Sequence, residues 1–233
     1  MGAEVRVFRD AEAIGEALAT EIVARHEAAA GPWLLGCPGG RSLRSTYAAL
    51  ARRRARLERL VVVMMDEYVG APRDAHFSCT RFAREEIAAP LGIPGKRVWL
   101  PAPGYDERID AAGGIDLFLL ASGASDGHVA FLPPGAPRMG ATSVVALAMS
   151  TRRDNLVTFP AFDSLEEVPT HGISVGLGTI GRARSLRMVL HGRDKREATR
   201  RLLALDRFDA SWPASIVHDH HDARILVDEE AMG

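Results

Sequence analysis

The chain has 233 residues, and its 47% hydrophobic and 25% charged residues suit a globular protein with a sizeable core. Its 29 basic and 30 acidic residues give a formal charge of −1, which argues against a nucleic-acid partner. The basic cluster at residues 52–54 follows an alanine-rich segment and is typical of a solvated helix end. No stretch approaches the roughly 20 apolar residues of a membrane span, and the first residues lack the apolar segment of a secretory signal. The sequence therefore predicts a cytoplasmic protein that is not bound to a membrane.

Short apolar runs alternate with helical patterns along the chain. The predicted strands are residues 33–37, 61–65, 115–121, 173–175, 186–190 and 225–227, and the predicted helices are 11–28, 43–56, 78–88 and 195–205. Because these apolar runs lack polar alternation, they fit strands that are covered on both faces. We predict one α/β domain over residues 1–233, with an open, mostly parallel, doubly wound (Rossmann-like) sheet flanked by helices. Ligands of such sheets collect at the carboxyl ends of the strands.

The first segment that follows a predicted strand is Gly39-Gly40-Arg41-Ser42, and a helix begins directly after it. Glycines let the backbone turn its N–H groups toward an anion, and the helix N-terminus adds positive potential. Arg41 and Ser42 supply side-chain donors. The segment is a candidate phosphate loop, and a tight strand–helix turn without a ligand is the alternative.

The next apolar run ends abruptly in two acids, Asp66 and Glu67. A partly desolvated carboxylate at a strand end has a raised pKa and suits proton transfer, which makes Asp66 a candidate catalytic residue. Helix capping or simple exposure to solvent is the alternative interpretation of an acidic pair.

The third segment places Asp126 and His128 around a glycine, after the strand at 115–121. A carboxylate beside an imidazole fixes its tautomer and prepares it as a base or acid near neutral pH. The pair Asp126 and His128 is the second catalytic candidate. A structural histidine is the alternative.

Lys195 follows the strand at 186–190 and begins a helix, a position that suits an anionic group, with a solvated cation as the alternative. The histidines at 218, 220 and 221 match no standard metal site, and Cys37 and Cys79 have no metal spacing. Nothing in the cysteine pattern requires a secreted disulfide framework. The sequence therefore predicts no metal.

Five strings in order, MDEYVG, GGIDLFL, DGHVAF, VPTHGISVGLGTI and ILVDEEA, resemble the glucosamine-6-phosphate deaminase family. That family lies in the glucosamine-6-phosphate deaminase / 6-phosphogluconolactonase superfamily, and the resemblance covers about residues 33–231. It implies an open α/β fold, a sugar 6-phosphate substrate and no cofactor.

The resemblance also implies roles for single residues. A carboxylate at Asp66 would move a proton between sugar carbons 1 and 2, and His128, assisted by Asp126, would help open the ring. The loop at 39–42 and Lys195 correspond to phosphate-binding positions.

Several positions depart from the deaminase pattern. Leu132-Pro133 stands where the deaminases have Asn-Glu, so the acid that completes their Asp-His relay is absent. Val157 falls on their phosphate-binding arginine, with Arg152 and Arg153 close by. The segment 101–114 is short where the deaminases usually have another helix.

The strings PGGRS, FLPPG and WPAS resemble the lactonases instead, while DEYVG, VGLGTI and VDEEA resemble the deaminases. We predict a divergent deaminase/isomerase. A lactone hydrolase is the first alternative, and a sugar-phosphate-binding protein with impaired catalysis is the second. A homo-oligomer is compatible with the sequence.

Overall fold

Seven parallel strands form the central sheet of the protein, which a computed structural model describes over residues 2–233. Within that range the strands, in chain order, are β1 (Glu4–Phe8), β2 (Trp33–Cys37), β3 (Leu60–Met64), β4 (Asp66–Tyr68), β5 (Val98–Trp99), β6 (Leu117–Ala121), β7 (Ser143–Ala146), β8 (His171–Ser174), β9 (Leu186–Leu190) and β10 (Ala223–Asp228). The central sheet has the order β1-β10-β9-β6-β2-β3-β5, and β4-β8-β7 form a small antiparallel sheet.

Helices connect most of these strands. They are α1 (Ala11–Ala28), α2 (Arg44–Arg52), α3 (Cys79–Phe82), α4 (Tyr105–Ala111), α5 (Met149–Thr158), α6 (Leu177–Gly181), α7 (Arg196–Leu203) and α8 (Glu229–Met232). A π-helical turn, Ala83–Ala88, continues α3, and a 3₁₀ turn, Arg193–Lys195, precedes α7. Asp10 caps α1 by accepting a hydrogen bond from the Ala13 amide at 2.8 Å.

The central sheet separates two apolar cores. Successive residues of a strand point to opposite faces, so Leu34 of β2 packs in the core that includes α4, α6 and α7. Its neighbour Leu35 packs in the core that includes α1 and α2. The sheet is thus covered on both faces, which confirms the predicted doubly wound α/β fold.

The chain reverses its direction across the sheet between β2 and β6. From β2 it runs outward to β3 and β5, then returns to β6 beside β2 and runs outward through β9. Gly36 permits this pairing, because a Cβ atom at that position would lie 2.0 Å from Cδ2 of Phe118 in β6. A ligand crevice is expected at such a point, outside the carboxyl ends of the two strands.

Most predicted elements are confirmed with small shifts at their ends, and 33–37, 186–190 and 11–28 coincide with β2, β9 and α1. The strand predicted at 173–175 belongs to β8, and the prediction that it lies in the central sheet was wrong. β8 pairs antiparallel with β4 and β7, in the small sheet apart from the seven parallel strands. The segment 101–114 contains the helix α4, although the shortness of the segment suggested none.

The basic cluster at the end of α2 has a structural partner in α1. The guanidinium groups of Arg52 and Arg53 both bind the carboxylate of Glu16, with Arg52 at 2.7 Å. Both cysteines are free and buried. Among the helices of residues 2–233, none combines the length and apolar character needed to cross a bilayer.

Candidate active site

A cavity of about 320 Å³ opens at the carboxyl ends of β2, β6 and β9. Its walls include four of the predicted sites: the loop at 39–42, Asp66, His128 and Lys195. Asp126 does not line the cavity itself, and its Oδ1 lies 2.7 Å from Nδ1 of the His128 ring. The fold therefore brings the predicted site residues to one pocket, with Asp126 in contact with its wall, while their roles in binding and catalysis stay predictions.

The loop between β2 and α2 forms one end of the pocket. Gly40 has a φ of +81°, a left-handed conformation that favours glycine, and it turns the chain into the helix. α2 begins at Arg44 without a side-chain cap, and the Arg44 amide donates to the Arg41 carbonyl at 3.3 Å, which closes the turn from the loop into the helix. Beneath the loop, the buried Tyr47 hydroxyl donates to the Pro38 carbonyl at 3.0 Å. This hydrogen bond fixes the loop from the core side.

Lys195 ends the 3₁₀ turn after β9 and extends into the same end of the pocket. Its Nζ donates to the carbonyl oxygen of Ser122 at 2.9 Å. Burial lowers the pKa of Lys195, and the nearby carboxylates of Asp194 and Asp154 oppose that shift. Asp194 also lies 3.7 Å from the Arg41 guanidinium, where both side chains are about half exposed. Two cations and two carboxylates thus share this end of the pocket.

The arginines that the sequence offered as substitutes at Val157 do not line the cavity, whereas Val157 itself does. The Arg152 guanidinium turns away and donates to the carbonyl of Val168 at 2.9 Å. Arg153 is exposed on α5. The structure therefore gives no support to the suggestion that Arg152 or Arg153 replaces the missing arginine, since neither lines the pocket.

Asp66 is the first residue of β4 and only 7% of it is exposed. Burial raises the pKa of its carboxyl group to about 6, while a hydrogen bond from the Cys79 thiol opposes the shift. The Sγ atom of Cys79 lies 3.2 Å from Oδ1 of Asp66. A carboxylate with such a pKa is ionised at neutral pH and is a stronger base than an exposed one.

Glu67, the neighbour of Asp66, has a structural role. Its carboxylate accepts hydrogen bonds from the backbone amides of Cys79 at 3.1 Å and Thr80 at 2.7 Å. The Ser78 and Thr80 hydroxyls donate to it as well. The alternative of helix capping is thus correct for Glu67, because four donors at the start of α3 surround it.

His128 and Asp126 lie in the loop after β6. Asp126 Oδ1 is 2.7 Å from Nδ1 of the His128 ring, which leaves Nε2 as the nitrogen for a ligand. Burial opposes the ionisation of Asp126, but its hydrogen bonds to His128 and Ser150 hold its pKa well below the usual range. Gly123 is required beside the ring, since a Cβ there would lie 2.1 Å from Nδ1 of His128.

Two hydroxyl groups contact this pair, in a chain that lacks the acid of the deaminase relay. Ser150 donates to the second oxygen of Asp126, and the Thr151 hydroxyl lies 3.4 Å from Nδ1 of His128. Both residues begin α5, more than 20 residues after His128 in the sequence. Sequence reasoning missed them, because no local pattern links the start of α5 to this loop.

The histidine-rich segment near the C-terminus has structural contacts. The ring of His218 lies 3.0 Å from the Leu202 carbonyl through Nε2, and that of His220 lies 2.7 Å from the Ala183 carbonyl. Asp219 binds the Arg138 guanidinium at 2.7 Å. Within residues 2–233, no group of three or more histidine, cysteine or acidic side chains is arranged to hold a metal ion.

Comparison with known protein families identifies the family of this chain. The family model described as "Glucosamine-6-phosphate isomerases/6-phosphogluconolactonase" matches residues 9–226. The chain belongs to this family. The matched segment contains every residue that the sequence analysis placed in the site.

Named relatives share about a third of their residues with this chain. It is 34% identical over 211 residues to a glucosamine-6-phosphate deaminase of Shouchella clausii, covering 84% of this chain and 83% of that protein. It is 35% identical over 215 residues to a glucosamine-6-phosphate deaminase of Rhodococcus jostii, covering 86% of this chain and 81% of that protein.

Solved structures resemble the whole chain. A monomeric glucosamine-6-phosphate deaminase superposes with a TM-score of 0.91 at 26% identity and covers 98% of both chains. A 6-phosphogluconolactonase from Leishmania guyanensis superposes with a TM-score of 0.77 at 16% identity, covering 99% of this chain and 98% of that one. At that identity the second likeness concerns the fold alone.

Proposed function

We propose that this enzyme of the isomerase/deaminase type takes an amino sugar 6-phosphate, opens its ring, isomerises it and releases ammonia. The observation that carries the proposal is Asp66, a buried carboxylate with a pKa near 6 in the same pocket as the His128 imidazole. The relatives of about 35% identity that are named deaminases support it. The superposition on a monomeric glucosamine-6-phosphate deaminase at 26% identity also supports it.

Ring opening requires a proton to leave the hydroxyl on carbon 1 and another to reach the ring oxygen. His128 suits this step, since Asp126 holds Nδ1 and directs Nε2 to the substrate. Asp126 stays ionised and stabilises the imidazolium that forms when Nε2 accepts a proton. The product of this step is the open-chain amino aldose.

Isomerisation moves a proton from carbon 2 to carbon 1. Asp66, ionised at neutral pH, removes the carbon 2 proton while oxygen 1 takes up the proton that the substrate ammonium group releases, which gives an enolamine. Asp66 then returns its proton to carbon 1, which gives a protonated ketimine. Water then adds to the ketimine carbon and ammonia leaves, so the overall reaction consumes one water and yields a ketose 6-phosphate. This use of water gives the enzyme its hydrolase character.

The phosphate would occupy the end of the pocket formed by the loop at 39–42 and Lys195. The Arg41 guanidinium and the Lys195 ammonium both line this end of the pocket and supply the positive field. We propose residues 1–233 as one functional domain, acting in the cytoplasm without a cofactor.

A substrate panel tests the proposal. Purified protein is incubated with glucosamine 6-phosphate, its galactosamine epimer and 6-phosphogluconolactone, and ammonia release, ketose formation and lactone loss are measured separately. The proposal expects ammonia and ketose from an amino sugar phosphate in equal amounts. Lactone loss alone would establish the lactonase alternative instead. Saturable phosphate binding without turnover of any of the three would indicate a binding protein.

Pro133 in place of the relay acid favours the lactonase alternative, together with the lactonase-like strings PGGRS, FLPPG and WPAS. Lactone hydrolysis needs a base to activate water and donors for the oxyanion, so it does not require that acid. It also has no carbon-bound proton to transfer, and it leaves the buried Asp66 without a function. The two reactions therefore differ most in their dependence on Asp66.

A further inference from the structure

The thiol of Cys79 lies between the two functional ends of the pocket. Its Sγ atom is 3.2 Å from Oδ1 of Asp66, and it lies 3.7 Å from the position that a Cβ atom on Gly39 would occupy. Cys79 is 5% exposed and lines the cavity. It is therefore in contact with the carboxylate on one side and close to the phosphate-loop backbone on the other.

Glu67 fixes the position of this thiol. Cys79 is the first residue of α3, and its backbone amide donates to Glu67 Oε1 at 3.1 Å. The amide and hydroxyl of Thr80 both donate to Glu67 Oε2 at 2.7 Å. Consecutive residues of a strand point in opposite directions, so the side chains of Asp66 and Glu67 make different contacts. Glu67 holds the start of α3, and Cys79 at that start reaches back to Asp66.

We propose that Cys79 is a positioning residue that holds the Asp66 carboxylate in place for proton transfer, and that Glu67 seats it there. The inference rests on the proposed function for its catalytic meaning, but the contact itself is independent of any substrate. Burial and the neighbouring Asp66 raise the pKa of the Cys79 thiol well above its usual range. Cys79 is therefore a protonated donor at neutral pH, and Asp66 is its acceptor.

The hydrogen bond from Cys79 favours the ionised form of Asp66, against burial and the charge of Glu67, which favour the neutral form. Its loss should raise the pKa of Asp66. The other titratable groups that act electrostatically on Asp66 or are affected by it are His128, Tyr47, Tyr68 and Tyr105. Of these, His128 alone also lowers the pKa of Asp66, and Cys79→Ala leaves it in place.

The test compares Cys79→Ala with the conservative Cys79→Ser, which keeps a donor of similar size. In Cys79→Ala we expect the acid limb of the kcat/KM profile to move up by about 0.5 to 1 pH unit, since a thiol is a weak donor. Cys79→Ser should restore the wild-type limb or move it lower. Cys37→Ala is the matched control, because it removes the other buried thiol, which donates to the Leu35 carbonyl.

A second readout separates this inference from the proposed function. Carboxyl ¹³C NMR of protein labelled at aspartate, with Asp66→Asn to assign the signal, gives the Asp66 titration without substrate. The same upward shift in Cys79→Ala, in protein that turns over no amino sugar phosphate, would support the contact and refute the reaction. An Asp66 titration that is unchanged or moves downward in folded Cys79→Ala would overturn the role of Cys79, whatever the reaction. Thermal unfolding confirms that each variant is folded.

Discussion

Replacement of Asp66 by asparagine separates the two candidate reactions. Asparagine keeps the shape of the side chain and an oxygen that accepts from Cys79, but it cannot take a proton. Because Asp66 is buried and uncharged asparagine costs less to bury than a carboxylate, the fold should be retained. General base catalysis contributes about 10²–10⁴-fold. We expect a loss of that size in kcat for ammonia release, with a smaller change in KM.

The wild-type pH profile provides an independent measure of the same group. With a pKa of about 6 for Asp66, kcat/KM should be level at neutral pH and fall about tenfold per pH unit well below 6, where the base is protonated. Reaction in deuterium oxide supplies the most direct assay, because a proton held by Asp66 exchanges with solvent. Deuterium should then appear on carbon 1 of the ketose product, as measured by NMR.

Asp106→Asn is the matched control, since this carboxylate accepts from Thr142 and Thr179 outside the pocket. It should keep activity within a few-fold of wild type. An Asp66→Asn protein that is equally active on its best substrate would refute the reasoning, because no isomerisation proceeds without a base at carbon 2. Lactone hydrolysis would then be the reaction consistent with the pocket.

Three further substitutions test other contacts. Lys195→Ala should raise KM for a sugar phosphate by about 10–100-fold and change kcat less, because a charge-assisted contact that is present throughout the reaction is lost. Unchanged kinetics would mean that the phosphate binds elsewhere. Asp194→Asn should lower both KM and the inhibition constant of inorganic phosphate by about two- to five-fold. The reason is that the exposed Asp194 carboxylate, 3.7 Å from the Arg41 guanidinium, competes with the phosphate for that cation. Higher values of either constant would contradict that competition. Arg187→Met should lower the free energy of unfolding in urea by about 3 kcal/mol, since the fully buried guanidinium binds two partly exposed carboxylates. Arg193→Ala, at an exposed ion pair, should change it by less than about 1 kcal/mol, and equal losses would refute the difference.

The central strands were predictable because burial on both faces leaves a continuous apolar run, as in β2 and β9. The edge strand β1 was missed, since its charged residues face solvent and its pairing depends on β10, more than 200 residues away. The small antiparallel sheet was missed as well. β4 has only three residues, and β7 is mostly exposed although its residues are largely apolar, so neither has the pattern of a buried strand.

The candidate site was predictable to the extent that its residues lie in the segment that follows an apolar strand. Asp66, His128 and Lys195 satisfy that rule, and parallel strands bring such segments to one edge. Cys79, Ser150 and Asp154 do not follow a strand of the central sheet closely. They reach the pocket or its Asp126–His128 pair through α3 and α5, whose positions depend on tertiary packing.

The contacts of the His128 ring show what the replacement of the deaminase relay acid by Pro133 means for the proposed reaction. The family resemblance places a second acid of the relay at position 133, whereas the hydroxyls that contact Asp126 and His128 in this chain, those of Ser150 and Thr151, carry no charge. In the proposed reaction Asp126, 2.7 Å from the His128 ring, is then the carboxylate that stabilises the protonated imidazole. Ring opening takes one proton from a hydroxyl and returns one to the ring oxygen, so a single imidazole with a single carboxylate is sufficient for it. The carbon-to-carbon transfer is assigned to Asp66, which the substitution at Pro133 leaves unchanged. The missing acid therefore alters the charge around the ring-opening base and removes no step of the proposed reaction.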